Sequence, residues 1–446
     1  MASDLLSIGA SGARAARGAL EVTANNIANA SSDGYVRRSV RIEEVSSGSI
    51  AGRGTDIAAS GSRVAEVRRN ADSFRQAELR RTQGDLERAN VELTGLQNIE
   101  AAVEQSGIFG SIVEFEAALQ QLSGDPTDSA RRAAVLSEAE TLAAKFNITA
   151  GSLASVGDGL RFNAQADVEN LNTYGAELAR VNLRLARSGS GSNDQAALLD
   201  QRDNLLEKMS SLASISTSFA SDGTVAVSVG TAPPTSFVSG GSSGTMSSTI
   251  AADGTMSFAI DGTAISPGAG SLAGTGLALG ELAEASARLD AAAASIANTI
   301  NNAQTSGAAL DGSAGQPIFS GTTAATLSVV LSSGAGLATA PAGSAANERN
   351  QQNLIDMRDA LSAANPADGV NSILFDVSAK VSGRKVTQSA LETIASSARI
   401  ALQEQSGVDL DKEAANLIRY QQAFQASGRA MQVASDIFDT LMGIGR

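Results

Sequence analysis

Cysteine, histidine and tryptophan are absent from this chain of 446 residues, and only 3% of its residues are aromatic. Without Cys or His there can be no zinc finger, Cys–His nucleophile pair, Ser-His-Asp triad or haem histidine. A metal site would have to be all oxygen, and acid–base chemistry would fall to carboxylates, Lys or Tyr. Disulfides are excluded, so they say nothing of redox compartment. Positive charge is also scarce: 33 Lys and Arg stand against 47 Asp and Glu, a net charge of −14. That balance disfavours nucleic acid and anionic lipid as partners. No apolar run reaches the roughly 18 residues that a membrane span requires. At the N-terminus, Asp4 precedes the apolar residues and Arg14 and Arg17 follow them, the reverse of a cleaved secretion signal. Any export is expected to use a route without signal cleavage.

What remains is mostly helical patterning. Leu5, Ile8, Gly12, Ala15, Ala19 and Val22 recur at helical spacing, beside a seven-residue seam of Leu6, Ala13, Leu20 and Ile27. Asn25, Asn26 and Asn29 are poor helix-interior residues, and Ser31–Gly34 is a turn signal, so this helix is expected to end near Asn29. Extended stretches follow at Tyr35–Val45 and Thr55–Val67, expected to form a hairpin or two short strands. Helical patterns cover Asp72–Gln105, Ile112–Leu122, Ser129–Phe146, Leu160–Ala186 and Asp194–Leu212. Ser216–Gly276 is rich in Gly, Ser and Thr and reads as a small β insertion, with turns at Asp222-Gly223, Asp253-Gly254 and Asp261-Gly262. Helix returns at Leu277–Thr305, Gln351–Ala364 and Gln388–Gln405, with a partly extended region near Phe319–Leu337.

The C-terminal stretch has the clearest period. Leu410, Leu417, Phe424, Met431 and Phe438 fall every seven residues, with Ala414, Ala434 and Leu441 on a companion seam. A helix from Asp409 to Met442 would span about 50 Å. The N-terminal seam, rich in Ala and Gly, buries little area, and an isolated helix of that length is marginal in water. The two ends are therefore expected to be ordered only against each other or against neighbouring subunits. The fold class that follows is mainly α with a smaller β component. Its expected parts are an inner domain of terminal helices (1–34 plus 405–446), a helical middle domain with short strands (35–215 plus 277–404) and a β-rich insert (216–276).

Ala24-Asn25-Asn26-Ile27-Ala28-Asn29 followed by Gly34-Tyr35 resembles the N-terminal motif of bacterial flagellar axial proteins. Ser406 to Ser427, beginning Ser-Gly-Val-Asp-Leu-Asp-Lys-Glu-Ala-Ala-Asn-Leu, is similar to the opposite end of those proteins. Inside the chain, Asn193-Asp194 and Leu198-Leu199-Asp200-Gln201-Arg202-Asp203 with Leu205-Leu206 resemble the hook-associated protein 1 family rather than rod or hook subunits. The resemblance covers roughly residues 1–215 and 277–446. It implies a secreted, structural and non-enzymatic subunit of the bacterial flagellum at the hook–filament junction, exported by the flagellar type III apparatus. The implied partners are further copies in a ring, the hook protein, a second hook-associated junction protein and an export chaperone on the C-terminal helix. No cofactor, catalytic residue, metal ligand, nucleic acid or membrane insertion is implied. The nearer alternative is a rod or hook subunit; the remote one is a carboxylate-dependent cell-wall hydrolase.

Under that resemblance the assembly interface is expected to comprise Leu5, Ile8, Leu20, Val22, Asn25, Asn26, Ile27, Asn29, Gly34 and Tyr35 with Leu410, Leu417, Phe424, Met431, Phe438 and Leu441. The heptad seam could equally be intramolecular core. The asparagines could simply end the helix; functionally, their amides would satisfy backbone groups where helix passes to strand. The middle-domain family motif is Asn193, Asp194, Leu199, Asp200, Gln201, Arg202 and Asp203. Asp200 and Asp203 share a helix face, but the surrounding leucines make an ion pair or surface charge cluster the expected reading, not a carboxylate active site.

Overall fold

The computed structural model describes residues 2–32, 34–46, 59–189, 191–231 and 233–444; the side chains of 2–4, 46, 59–60 and 441–444 lie outside that description. Nine α-helices run among these residues. In chain order come α1 (Ala2–Ala28), the strands β1 (Arg38–Ser46) and β2 (Ala59–Arg69), then α2 (Ser73–Glu104), α3 (Ile108–Ser123), α4 (Ser129–Leu185) and α5 (Asn193–Leu212). Seven strands follow: β3 (Ile215–Phe219), β4 (Val225–Val229), β5 (Thr235–Ser239), β6 (Ser242–Ser243), β7 (Met246–Ile250), β8 (Met256–Ile260) and β9 (Thr263–Ile265). Beyond α6 (Gly270–Thr305) lie the two-residue strands β10 (Gly307–Ala308), β11 (Phe319–Ser320), β12 (Ser328–Val329) and β13 (Ala340–Pro341), then α7 (Gln352–Ala364), α8 (Pro366–Ser406) and α9 (Leu410–Ile444). The fold is mainly α with small antiparallel sheets.

The chain divides into two compact units: Met1–Asp85, Asn170–Met246 and Glu392–Arg446 in one, Leu86–Glu169 and Ser247–Leu391 in the other. In the first, α1 runs against α9 and carries the β1–β2 hairpin on another side. Small residues make the helix crossing close. A Cβ on Gly9 would lie 2.6 Å from Met431 Cγ, and one on Gly12 would lie 2.8 Å from Ser427 Oγ. The hairpin approaches at Gly61, whose positive φ of 96° and missing side chain admit Ser11; the Ser62 amide donates to Ser11 Oγ at 3.1 Å. The β3-β4-β5-β6 meander lies on the last turns of α4. Its Phe237 fills the space over Gly175, and Asn182 donates to the carbonyls of Val225 and Gly240.

The second unit has one apolar core. Ile99, Ile112, Phe115, Leu142, Phe146, Leu279, Ile296 and Ile318 are almost wholly buried there, with Phe115 edge-on to Phe319 at 5.9 Å. Arg132 is buried beside them. It donates to the carbonyls of Pro126, Gly334 and Leu337 and to Thr339 Oγ1, holding an irregular stretch that lacks its own ladder.

Three expectations change. The helical patterns at Ser129–Phe146 and Leu160–Ala186 are one helix, α4, continuous through 147–159. Gly157 within it is a packing position, where a Cβ would come 2.9 Å from Leu282 Cδ2. Helix α6 also begins at Gly270, ahead of Leu277, and α8 begins at Pro366, well ahead of Gln388. The three Asp-Gly turns are hairpin turns: Gly223, Gly254 and Gly262 all have positive φ, and Asp222 and Asp253 each accept from the Thr two residues on.

A candidate assembly site where the chain ends meet

Helix α1 stops just past Asn26, whose side chain bonds to other elements. Asn26 is 1% exposed, and its amide is fully engaged. Nδ2 donates to the Arg38 carbonyl (2.8 Å) and to Glu413 Oε2 of α9 (3.1 Å); Oδ1 accepts from the Arg38 amide (3.0 Å) and the Tyr35 hydroxyl (2.8 Å). One side chain thus joins the end of α1, the start of β1 and the first turn of α9. Glu413 is as deeply buried, and Arg37 grips its other oxygen through Nε (2.8 Å) and Nη2 (2.7 Å). The Arg37 amide also donates to the Ser406 carbonyl, tying the α1–β1 connection to the end of α8. Burial pushes the Tyr35 hydroxyl above its usual range, against the pull of Arg38, so it stays a protonated donor. Asn25 and Asn29 behave differently: each donates back to a carbonyl of its own helix, Glu21 and Asn25 respectively. Gly34 makes the turn with φ 72°.

A second polar network lies alongside. Asp200 accepts from Arg38 Nη2 (3.0 Å) and Arg69 Nε (2.9 Å); Asp203 accepts from Arg69 Nη2 (2.9 Å), Gln76 (2.9 Å) and Arg202. Arg69, at the end of β2, bridges both carboxylates of α5. Burial pushes the Asp200 carboxyl up, outweighing Arg69 and Arg38. Burial acts on Asp203 too, but there Arg202 and Arg69 prevail and hold it below the ordinary range. Of the two expected readings the ion pair is the one found, and it lies in the interior rather than on the surface, with Arg202 and Asp203 each 8% exposed. Arg38 links the two networks, its guanidinium 5.2 Å from the Tyr35 ring centre; its Nε is buried without a hydrogen-bond partner. Arg202 lies 4.7 Å over the Phe219 ring and donates to the Gly223 carbonyl, which brings the β3–β4 turn to α5.

The other singled-out residues have plainer settings. Asn193 and Asp194 open α5 behind the cap Ser192, Leu199 is half-buried, and Gln201 bonds Glu177 and Arg184. Val22 is buried in α1; Ile8, Leu20 and Ile27 are half-buried; Leu5 is exposed. On α9, Leu417 and Met431 are half-buried, whereas Leu410, Phe424 and Phe438 are exposed. The side chain of Leu441 lies outside the described residues. Sequence reasoning did not single out Arg37, Arg38, Arg69, Gln76 or Glu413. Glu413 stands inside the quoted C-terminal motif, but as one acid among several on a polar helix it carried no sign of burial.

A family model described as the flagellar hook-associated protein FlgK helical domain matches residues 93–319. The chain belongs to the FlgK family. Two further models match its ends: flagella basal body rod protein over 6–35 and flagellar basal body rod FlgEFG protein C-terminal over 401–444. Flagellar hook-associated protein 1 of Bacillus subtilis is 24% identical, over 97% of this chain and 96% of the relative. The Salmonella typhimurium protein of the same name is 29% identical, over 50% of this chain and 40% of its own length. FlgK from Burkholderia pseudomallei, described as a flagellar hook junction protein, aligns structurally over 54% of this chain and 46% of that one, with TM-score 0.48 and 23% identity. The two end models coincide with the helices that meet at Asn26 and Glu413, and the FlgK-specific match contains the Asp200–Asp203 motif.

Proposed function

We propose that this FlgK-family chain is a structural subunit of the bacterial flagellum that joins hook to filament and assembles through its terminal helices. The carrying observation is α9. At 100° per residue, Leu410, Ile418, Phe424, Val433, Ile437 and Phe438 spread around much of its circumference, and all are exposed. Only α1 lies along it within the described chain. A helix apolar in several directions with one partner is built to be enclosed by others.

The interface would consist of the terminal-helix residues Leu5, Ile8, Leu20, Val22 and Ile27 with Leu410, Leu417, Phe424, Met431, Phe438 and Leu441. The Asn26–Glu413 clasp would hold the two helices in register. Copies in a ring, the hook protein below and a second hook-associated protein above would supply the neighbours. An export chaperone would cover α9 beforehand, since its apolar surface invites premature association. The role is structural rather than catalytic: the buried carboxylates Asp203 and Glu413 are engaged by arginines and amides.

Deleting the gene tests this reading. Intact hooks without filaments, and flagellin lost to the medium, are expected. Missing hooks would move the protein to the rod or hook, and normal filaments would overturn the assignment.

A further inference from the structure

Within the first unit a groove of about 670 Å³ opens between the α1–β1 connection, the first turns of α2, the middle of α5 and the end of α8. Arg80 of α2 stands in its wall, 7% exposed. Among the described residues Arg80 donates no hydrogen bond and makes no ion pair. Asp203 and Glu207 attract it, but neither is in ion-pair contact with it, and Asp203 is already held by Arg69, Arg202 and Gln76. The groove's other two cations are occupied: Arg399 donates to Gln83, and Lys208 lies over the Tyr174 ring. None of the Arg80 guanidinium nitrogens is sealed from solvent, so its donors stay open to the groove, and a carboxylate is the group that matches their planar fork.

We propose that the groove receives an Asp or Glu side chain from a second copy of this chain, which pairs with Arg80 across the boundary between subunits. The inference rests on the reading that the chain assembles with copies of itself. Charge favours that occupant, because with 47 acidic against 33 basic residues a neighbouring copy offers carboxylates in excess. Position favours it too. The walls at Ser31, Ser32, Gly34–Val36 and Ser406–Val408 continue directly from the Asn26, Arg37 and Glu413 clasp, so the groove adjoins the helices read as the assembly interface. Gln76, Gln83, Asn204 and Gln403 line the rest with amides suited to a peptide backbone.

The test uses hook–filament structures purified from cells in which Ser32, an exposed residue on the groove's edge, is replaced by the photo-reactive amino acid p-benzoylphenylalanine. Irradiation should yield a cross-link to a second copy at a peptide containing Asp or Glu. Arg80→Gln should lower the yield at least tenfold without changing the melting temperature of the monomer. If Arg80→Gln melts early, Arg80→Lys, which keeps the charge and loses the fork, should lower the yield at an unchanged melting temperature. A cross-link only within the chain or to a different flagellar protein overturns the proposal. An unchanged yield in both variants overturns it as well. Absence of the protein from the purified structures would instead overturn the assembly reading, and the groove's occupant with it.

Discussion

Arg69 holds two carboxylates of α5 at once, and the neighbouring clasp turns on Asn26, so single side chains decide how the elements of the first unit meet. Replacing Asp203 by Asn removes one partner of a buried ion network and should cost about 3–5 kcal/mol. Asp200→Asn should cost less, because burial already raises that carboxyl's pKa and its charged form is held less firmly. Asp203 sits below its ordinary range in the folded chain, so its contribution is complete above an unfolded pKa of about 3.9 and fades as pH falls through the folded value. The stability gap between wild type and Asp203→Asn, measured by urea unfolding, should be constant near neutrality and shrink below about pH 4. A gap that persists in strong acid would refute this. Asn26→Ala leaves several buried groups unpaired and should cost about 2 kcal/mol or more, whereas Asn25→Ala, at an exposed position with one local bond, should cost under about 0.5. Equal losses on thermal unfolding would show that the clasp does not matter. The sequence showed Asp200 and Asp203 on one helix face. Their burial was hidden because Arg38 and Arg69 lie more than a hundred residues away and no local pattern couples them.

Among the elements, the α1–α9 crossing depends on missing side chains. Gly12→Leu must displace Ser427 and should part the two helices, seen as a lower melting temperature and loss of assembly. Gly428→Ala meets nothing within 4 Å on the same helix and should stabilise it by about 1 kcal/mol. If both substitutions act alike, close approach is not what the glycines supply. Elements with a strong period were legible from sequence: α1, α2, α5, α7 and α9 lie within a few residues of their expected bounds. The middle of α4 was not, because 147–159 carries several glycines and few large apolar residues, and its helix is sustained by tertiary contacts such as Gly157 on Leu282. The strands within 216–276 were legible through their Asp-Gly turns, although their division into two sheets and their pairing order were not, since strands of five residues or fewer carry little register information.

At the scale of the whole molecule, the two units interleave in sequence: the second takes residues 86–169 and 247–391, and the first takes the ends of the chain and 170–246. A chain lacking residues 409–446 should therefore stay soluble and keep the second unit's cooperative unfolding, yet fail to enter the flagellum. Efficient assembly of that truncation would refute the role given to α9. Family and general function were legible because the motifs sit at both ends and in α5. The candidate groove was not, since its walls come from four separate stretches of chain.

The bond between Asn26 and Glu413 spans 387 residues of sequence. A chain emerging N-terminus first from synthesis cannot form it until residue 413 has appeared. By then the second unit, whose last segment ends at residue 391, can already have folded, which shortens the flexible path and lowers the entropy cost of closing it. The clasp therefore makes the order of folding a measure of length. A chain cut short of residue 413 leaves Asn26 and Arg37 without the Glu413 acceptor, so only a subunit synthesised through that point can lock its ends together.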